Sequence, residues 1–351
     1  MERLRDEILA DPLARITFAR FMERALGEPG LGYYATSSLR PTRSGDFLTA
    51  PELHPFFGRC LARFLAATWE CLGAPPRLTV SEGGAGRGTL RDTTLAGLRA
   101  ERPALAEVIE WQALDLPGRS DVTPAERITG IILANELLDA LPVHRVIQQG
   151  GRLLECFVTW RDGWFAEVSA DPSSPALSRH LERDGIQLAE GQRAEIGLAA
   201  SAWLAQAADR LASGLLLVID YGRPAAELYG PRWPSGSLLT YRDHSVGDDP
   251  FAAVGRQDIT AHVDVTSLDR VAREHGLERV GDTTQARFLT DLGLGELLAE
   301  LRDEAATGVE AYLAGRAAVA RFLDPRHLGA FRVLAWSRGD LLGPGLPGFG
   351  A

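Results

Sequence analysis

The sequence predicts an α/β fold built on a buried parallel sheet, and three observations carry that prediction. Strand-length runs at Val108–Leu114, Ile128–Ala134 and Leu215–Ile219 each finish in an acid or amide, namely Asp115, Asn135-Glu136 and Asp220. The run at Ile128–Ala134 is uniformly apolar, as a strand covered on both faces should be. Ahead of them, Leu78-Thr-Val-Ser ends in Glu82 and opens into glycines before a helical pattern, the layout of a ligand loop at the carboxyl edge of a sheet. With 351 residues and 45% hydrophobic content, the chain can bury one large α/β domain with embellishments or two modest domains.

Taken in order, residues 1 to about 27 show helical spacing (Leu4, Ile8, Leu9, then Phe18, Phe21, Met22), with Thr17 placed to cap the second part. A glycine-rich passage and Tyr33-Tyr34 lead into Ser44-Gly45-Asp46-Phe47-Leu48-Thr49-Ala50-Pro51-Glu52, a loop before the helical pattern of Phe56 to Leu72. The glycine strand and loop are followed by a helix from Leu90 to about Ala100. Between the last two core strands, Val143 to Val168 alternates aromatics and polar residues around Asp162-Gly163, which predicts a meander or hairpin insertion with its turn there. Pro172 to Pro175 separates it from a helix predicted around Ala194 to Ala212. The glycine- and proline-rich end from Gly339 is predicted to fray.

The glycine loop points to a cofactor. Strand, glycine turn and helix start present unpaired backbone N–H groups to a ligand. A carboxylate at the strand end would repel a pyrophosphate but pair with an ammonium, and S-adenosylmethionine carries one beside its sulfonium. Gly84, Gly86 and Gly88 follow G-x-G-x-G, whereas a dinucleotide fingerprint from Gly84 would need its last glycine where Thr89 stands. Asp115, at the end of the next strand, is the candidate for the ribose hydroxyls, with Glu110 its rival. Glu136 and Asp139 follow the second apolar strand three residues apart. If the backbone turns helically there, both carboxylates share a face and suit a guanidinium, whose five donors match two acids. The alternative is that they cap the next turn.

Other readings are set aside on composition. A net charge of -10 argues against a nucleic-acid surface, and the 37 basic residues are all arginine. Three scattered cysteines without C-x-x-C spacing fit a reducing, cytoplasmic setting, and no run approaches membrane-spanning length. Histidines and acids concentrate at Thr240-Tyr241-Arg242-Asp243-His244 and Gln257 to Asp264. Without H-x-x-x-H spacing, and with His262 and Asp264 alternating with Val263 and Val265 in a strand pattern, no metal is expected. Tyr33-Tyr34 reads equally as packing or as a substrate wall.

The ordered blocks Gly32-Tyr33-Tyr34, Gly45 to Glu52, Glu82 to Leu90, Ala134 to His144, Ile219 to Gly222, Gly236 to His244, Gln257 to Asp264, Thr284 to Leu289 and Leu328 to Leu334 resemble a family of methyltransferases. These are similar to the mitochondrial complex I assembly factor that symmetrically dimethylates arginine (the MidA-like proteins), and the likeness covers most of the chain. It implies a Rossmann-like class I methyltransferase sheet with an N-terminal helical cap and a small inserted β unit, with Asp46 to Thr49 approaching the cofactor. The segment between Gly88 and Asn135 is shorter than in the family and lacks its acid followed by serine-proline, which leaves Asp115 on either the second or the third strand.

The resulting expectation is an S-adenosylmethionine-dependent methyltransferase. Its divisions are 1–72 (cap and cofactor-covering loop), 73–142 (first part of the core), 143–175 (inserted β unit), 176–338 (remainder of the core) and 339–351 (tail). The cofactor is assigned to Asp46, Thr49, Glu82, Gly84, Gly86, Gly88, Asp115 and Asn135, the acceptor to Tyr34, Tyr241, His244 and Asp258, and the chemistry to Glu136 and Asp139. The expected acceptor is an arginine on a protein, otherwise a small oxygen or nitrogen nucleophile. A fold-retaining scaffold protein is the alternative of a different class. No nucleic-acid or membrane partner is expected, and a homodimer is allowed.

Overall fold

The computed structural model describes residues 2–37, 49–115, 127–243, 245–303, 308–339 and 345–350. By contact the chain forms two compact units, each assembled from three segments: Met1–Phe47, Leu138–Leu204 and Gly222–Val271 in one, and Leu48–Leu137, Ala205–Tyr221 and Ala272–Ala351 in the other. Among the described residues no helix is long and apolar enough to cross a membrane.

The second unit holds a six-stranded sheet. In chain order its strands are β1 (Leu78–Gly83), β2 (Ile109–Leu114), β3 (Ile128–Asn135), β4 (Leu211–Asp220), β5 (Glu278–Thr284) and β6 (Arg332–Arg338). Their spatial order is β5-β6-β4-β3-β1-β2. β1 pairs in parallel with β2 and β3, and β3 with β4, so these four strands end on one edge. β6 runs antiparallel to both of its neighbours. The predicted apolar runs are β3 and β4, and the structure extends them to Asn135 and Asp220. Their side chains Ile131, Leu133, Leu215, Leu217 and Ile219 form one core with Phe57, Leu61, Phe64 and Leu65 of the helix Phe56–Cys71. Fully burying side chains of this size contributes about 1.5–3 kcal/mol each.

The other unit is built on antiparallel strands. His144–Gln149, Arg152–Arg161 and Trp164–Ala170 form a meander; Arg15–Thr17 pairs with its middle strand and Arg193–Ile196 with its first. Asp162 and Gly163 both have positive φ (54° and 83°). That pair of left-handed residues matches the twist of the hairpin they close. Helices Glu2–Ala10 and Phe18–Gly27 bury Leu4, Ile8, Phe18, Phe21 and Met22 in a cluster with Val158 and Phe165. Thr17 caps the second helix by accepting from the Arg20 N–H at 3.1 Å, as its position predicts.

Two predicted elements differ from the structure. The helix expected from Ala194 begins only at Leu198 and ends at Arg210. Residues Arg193–Ile196 are instead a strand, because Ala194 and Ile196 are buried beside the paired strand His144–Gln149. Cross-strand burial overrides the helical propensity of that short stretch. The strand pattern around His262 shrinks to Val263–Asp264, after which the helix Val265–Glu274 begins. Asp264 caps it, its Oδ1 accepting from the Ser267 N–H at 3.1 Å.

At the centre of the sheet, Gly130 of β3 lies in register with Thr79 of β1 and with Gly214 of β4. The φ values of Gly130 and Gly214 are 150° and 124°. A Cβ on Gly130 would stand 2.0 Å from the Thr79 carbonyl oxygen, and one on Gly214 would stand 1.9 Å from the Gly130 carbonyl oxygen. We expect Gly130→Ala to lower stability by at least about 2 kcal/mol, read as a reduced midpoint in a urea titration at unchanged slope. A midpoint equal to that of the unsubstituted protein would contradict this account of the sheet centre.

Candidate functional site

In the unit containing the six-stranded sheet, the carboxyl edge gathers most of the predicted cofactor residues. β1 ends at Gly83, and the chain turns through Gly84, Gly86 and Gly88 at φ 70°, 54° and 78° before the helix Thr89–Glu101. The unpaired N–H groups expected of this loop are taken up within the protein at three positions: those of Ala85, Gly86 and Gly88 donate to the Leu114 carbonyl, the Asp115 carboxylate and the Ala85 carbonyl. A Cβ at Gly86 would find its nearest neighbour, the Gly84 carbonyl oxygen, only at 4.0 Å, so the space beside it is open.

Glu82 is 3% exposed, and its Oε2 accepts from the Trp111 indole N–H at 2.8 Å. Burial pushes its pKa up to about 7, against the opposing effect of the Trp111 bond. The partner Trp111 is one that sequence reasoning missed, because the β1–β2 register that brings it there leaves no local signal. Asp115 directly follows β2, so it closes the strand adjacent to the glycine strand. Its Oδ2 accepts from the Gly86 N–H at 2.9 Å.

β3 ends at Asn135. Its amide donates to Glu136 Oε1 at 3.1 Å, and its Oδ1 is buried with no hydrogen-bond partner among the described residues. Glu136 stands at φ 52°, its N–H donating to the Ile219 carbonyl and its Oε1 accepting from the Ala50 N–H at 3.0 Å. Burial pushes the Glu136 carboxyl up to about 8. The Ala50 and Asn135 bonds oppose that rise, and the Asp220 charge adds to it. Thr49 precedes the helix Ala50–Leu53 and makes no side-chain cap bond there. Asp220, which was not among the predicted site residues, is buried at the end of β4 and accepts from the Leu137 N–H at 3.2 Å and the Tyr221 N–H at 2.8 Å. Its signal was the acid ending an apolar strand.

The helical turn on which a shared Glu136–Asp139 face depends does not form. Glu136 is left-handed, and the 3-10 helix starts only at Leu138. Asp139 belongs to the other unit, where it is buried and its backbone carbonyl accepts from the Ala261 N–H at 2.9 Å.

That unit also brings together three of the predicted acceptor residues. The Tyr34 hydroxyl lies 2.8 and 2.9 Å from the two carboxylate oxygens of Asp258, and its ring meets Tyr33 edge-on with centroids 5.2 Å apart. Burial, then the charges of Asp258 and Asp139, push the Tyr34 phenol well above its ordinary range, so it stays a neutral donor. Tyr241 pairs with Asp258 across antiparallel strands. Asp46 and His244 lie outside the described residues.

His262 accepts from Arg223 Nε at 3.2 Å, and burial together with Arg223 lowers its pKa to about 4, a satisfied neutral ring. Among the described residues, His180, Asp184 and Asp264 place potential ligand atoms within 4.8 Å of one another. Their atoms already bond Tyr229, Arg270 and each other.

The buried acid, the open space beside Gly86 and the unpartnered Asn135 oxygen fit a cationic cofactor with an amino-acid end. Known proteins agree. The family profile for S-adenosyl-L-methionine-dependent methyltransferases matches residues 60–119 and 105–283. The chain belongs to this family. It is an enzyme that uses S-adenosylmethionine as its methyl donor. A solved Burkholderia thailandensis protein bound to S-adenosyl-homocysteine is 31% identical, with a TM-score of 0.84, covering 99% of this chain and 93% of that one. The mitochondrial protein arginine methyltransferase NDUFAF7 of Danio rerio is 26% identical over 80% of this chain and 73% of its own length. The Drosophila melanogaster homologue is 25% identical over 97% and 85%.

Two outcomes follow for this methyltransferase. Raising the Glu82 pKa to about 7 means that folding favours its protonated form, so that share of stability fades as pH climbs from the ordinary carboxylate range towards 7. A cationic ligand prefers the ionised form. Below pH 7 its binding should therefore release a proton, and affinity should rise with pH. Calorimetry in buffers of different ionisation enthalpy should show this release, and Glu82→Gln should abolish it while weakening binding by about 1.5–3 kcal/mol. Separately, Gly86→Val should fold but lose S-adenosylmethionine binding, because its side chain fills the open space beside the glycine turn. Equal affinity in Gly86→Val would show that the cofactor lies elsewhere.

Proposed function

We propose that the enzyme methylates an arginine nitrogen of a protein acceptor, using a Rossmann-like class I methyltransferase sheet as its frame. The sheet order, in which β6 alone runs against the other strands, supports the frame. The observation that carries the acceptor is Glu136, a carboxyl at a strand end pushed up to about 8 by burial and the neighbouring Asp220 charge. A guanidinium is the cation that offsets such an acid, since it remains protonated and presents several donors in one plane. An anionic acceptor would meet repulsion there. The names of the relatives, protein arginine methyltransferases, point the same way.

In this reading Glu82 holds the ammonium of S-adenosylmethionine, the backbone at Gly84, Gly86 and Gly88 admits it closely, and Asp115 and Asn135 receive its hydroxyl and amine donors. The bound cofactor supplies a methyl group activated by a sulfonium. Glu136 Oε1 is occupied by Ala50 and Asn135, which orients the carboxyl and leaves Oε2 to meet the guanidinium. The attacking nitrogen must shed a proton as its new bond to carbon forms, and in this reading Oε2 takes it. Alignment of the nucleophile, more than acid–base chemistry, supplies most of the rate in such a displacement. Asp139, Asp258, Tyr34 and Tyr241 are assigned to the acceptor, with Tyr34 fixing the Asp258 carboxylate. Asp46, Thr49 and His244 keep their assignments from the sequence.

The test is single-turnover transfer of a labelled methyl group into lysate from cells lacking the protein. Glu136→Gln and Asp139→Asn should each lose most transfer while keeping cofactor affinity within about threefold, less than 1 kcal/mol. Mass spectrometry should locate the methyl on arginine. Full transfer by both variants would remove the carboxylates from the mechanism, and label appearing only in small molecules would replace the protein acceptor.

A further inference from the structure

In the unit that contains the meander, a groove of about 500 Å³ opens between the first two helices, Leu31, the hairpin at Trp164 and the turn ending at Arg256. It takes no part in the methyl-transfer chemistry described above. Its apolar surface includes Leu31 and Trp164, which are 44% and 40% exposed, large values for side chains of this kind in a folded chain. Trp164 is not loose: its indole N–H donates to the Phe251 carbonyl at 3.3 Å, and its ring stands 5.7 Å from that of Phe165.

The charges around this surface do not cancel. Four arginines (Arg3, Arg24, Arg242 and Arg256) and two glutamates (Glu7 and Glu28) line it. The glutamates are already engaged. Glu7 accepts from Arg20 at 2.7 Å and Arg24 at 3.0 Å, and Glu28 pairs with Arg24 and, at 3.4 Å, with Arg3. Burial pushes the Glu28 carboxyl up, but those two arginines hold it below the usual carboxylate range. Arg242 has its sequence neighbour Asp243 at 3.6 Å, both side chains largely exposed, and Arg256 forms no ion pair among the described residues. A local excess of positive charge therefore rims an exposed tryptophan on a chain whose net charge is -10.

Arginine and tryptophan are the residue types that dominate binding hot spots. The narrow groove offers an apolar seat for one or two side chains with guanidinium groups on either side. We infer that it docks an acidic peptide segment of a partner protein, with an apolar anchor beside Trp164 and carboxylates on Arg242 and Arg256. A duplex or a lipid surface would need a broad basic face, and the overall acidity of the chain opposes both. The inference stands whether or not the methyl acceptor is an arginine.

The experiment uses the full-length protein and a short fluorescein-labelled peptide whose central leucine-phenylalanine pair is flanked on both sides by glutamates. Its anisotropy should rise to saturation and weaken with added salt, as exposed charge pairs do. Arg256→Glu and Trp164→Ala should each weaken it about tenfold or more while leaving S-adenosylmethionine affinity unchanged, which also reports that the variants are folded. Replacing the glutamates by glutamines should have the same effect. No saturation with the intact protein, equal binding by Arg256→Glu, or equal binding of the glutamine peptide would each overturn the proposal. So would binding of an oligonucleotide or of phosphatidylglycerol vesicles in place of the peptide.

Discussion

Parallel pairing of β1, β2, β3 and β4 is the constraint on which the candidate cofactor site depends. Parallel strands in register bring their carboxyl ends to one edge, so residues far apart in sequence come together there. Glu82 aligns with Ala113 on one side and Leu133 on the other, and Asn135 aligns with Ile219. Those alignments bring Trp111 to Glu82 and set Asp115, Glu136 and Asp220 at the ends of their strands on the same edge. The tight backbone approach at Gly130 and Gly214 sits upstream in the same strands, so the central packing of the sheet and the position of its polar edge are one structural problem.

That edge is not designed for the stability of the empty protein. Glu82 and Glu136 are carboxyls whose pKa values burial raises to about 7 and about 8. Each neighbouring hydrogen bond recovers only part of the lost hydration, and no arginine forms a short ion pair with either acid among the described residues. An enzyme that binds a cationic donor, and as proposed a cationic acceptor, gains from this arrangement, because the ligand's charge supplies what the fold withholds. The rest of the molecule compensates with a large apolar core under the sheet.

The sheet was legible from the sequence because β3 and β4 are apolar on both faces, a pattern that few exposed elements share. The cofactor was legible too, through the glycine spacing and the acid that precedes it. Hidden features were those set by partners distant in sequence. Ala194 to Ile196 has helical composition, yet pairing with His144–Gln149 makes it a strand. Trp111 reaches Glu82 only through inter-strand register. The shared helical face for Glu136 and Asp139 failed on one backbone angle, the left-handed φ of Glu136, which no side-chain pattern announces. In contrast, the Tyr34–Asp258 bond joins two residues 224 positions apart that both lay in blocks shared with the family.

The bond from the Ala50 N–H to Glu136 Oε1 gives the strand end a mechanical grip on the segment that begins with Thr49. Hydrogen bonds to an ionised carboxylate are roughly twice as strong as those to a neutral one. Whatever draws the proton from Glu136 therefore also tightens its hold on Ala50, and whatever secures Ala50 makes the proton easier to remove. By reciprocity of coupled equilibria the two effects are equal in free energy. In the proposed acceptor site, this one carboxyl couples the charge of the acceptor to the backbone position of the chain beside it.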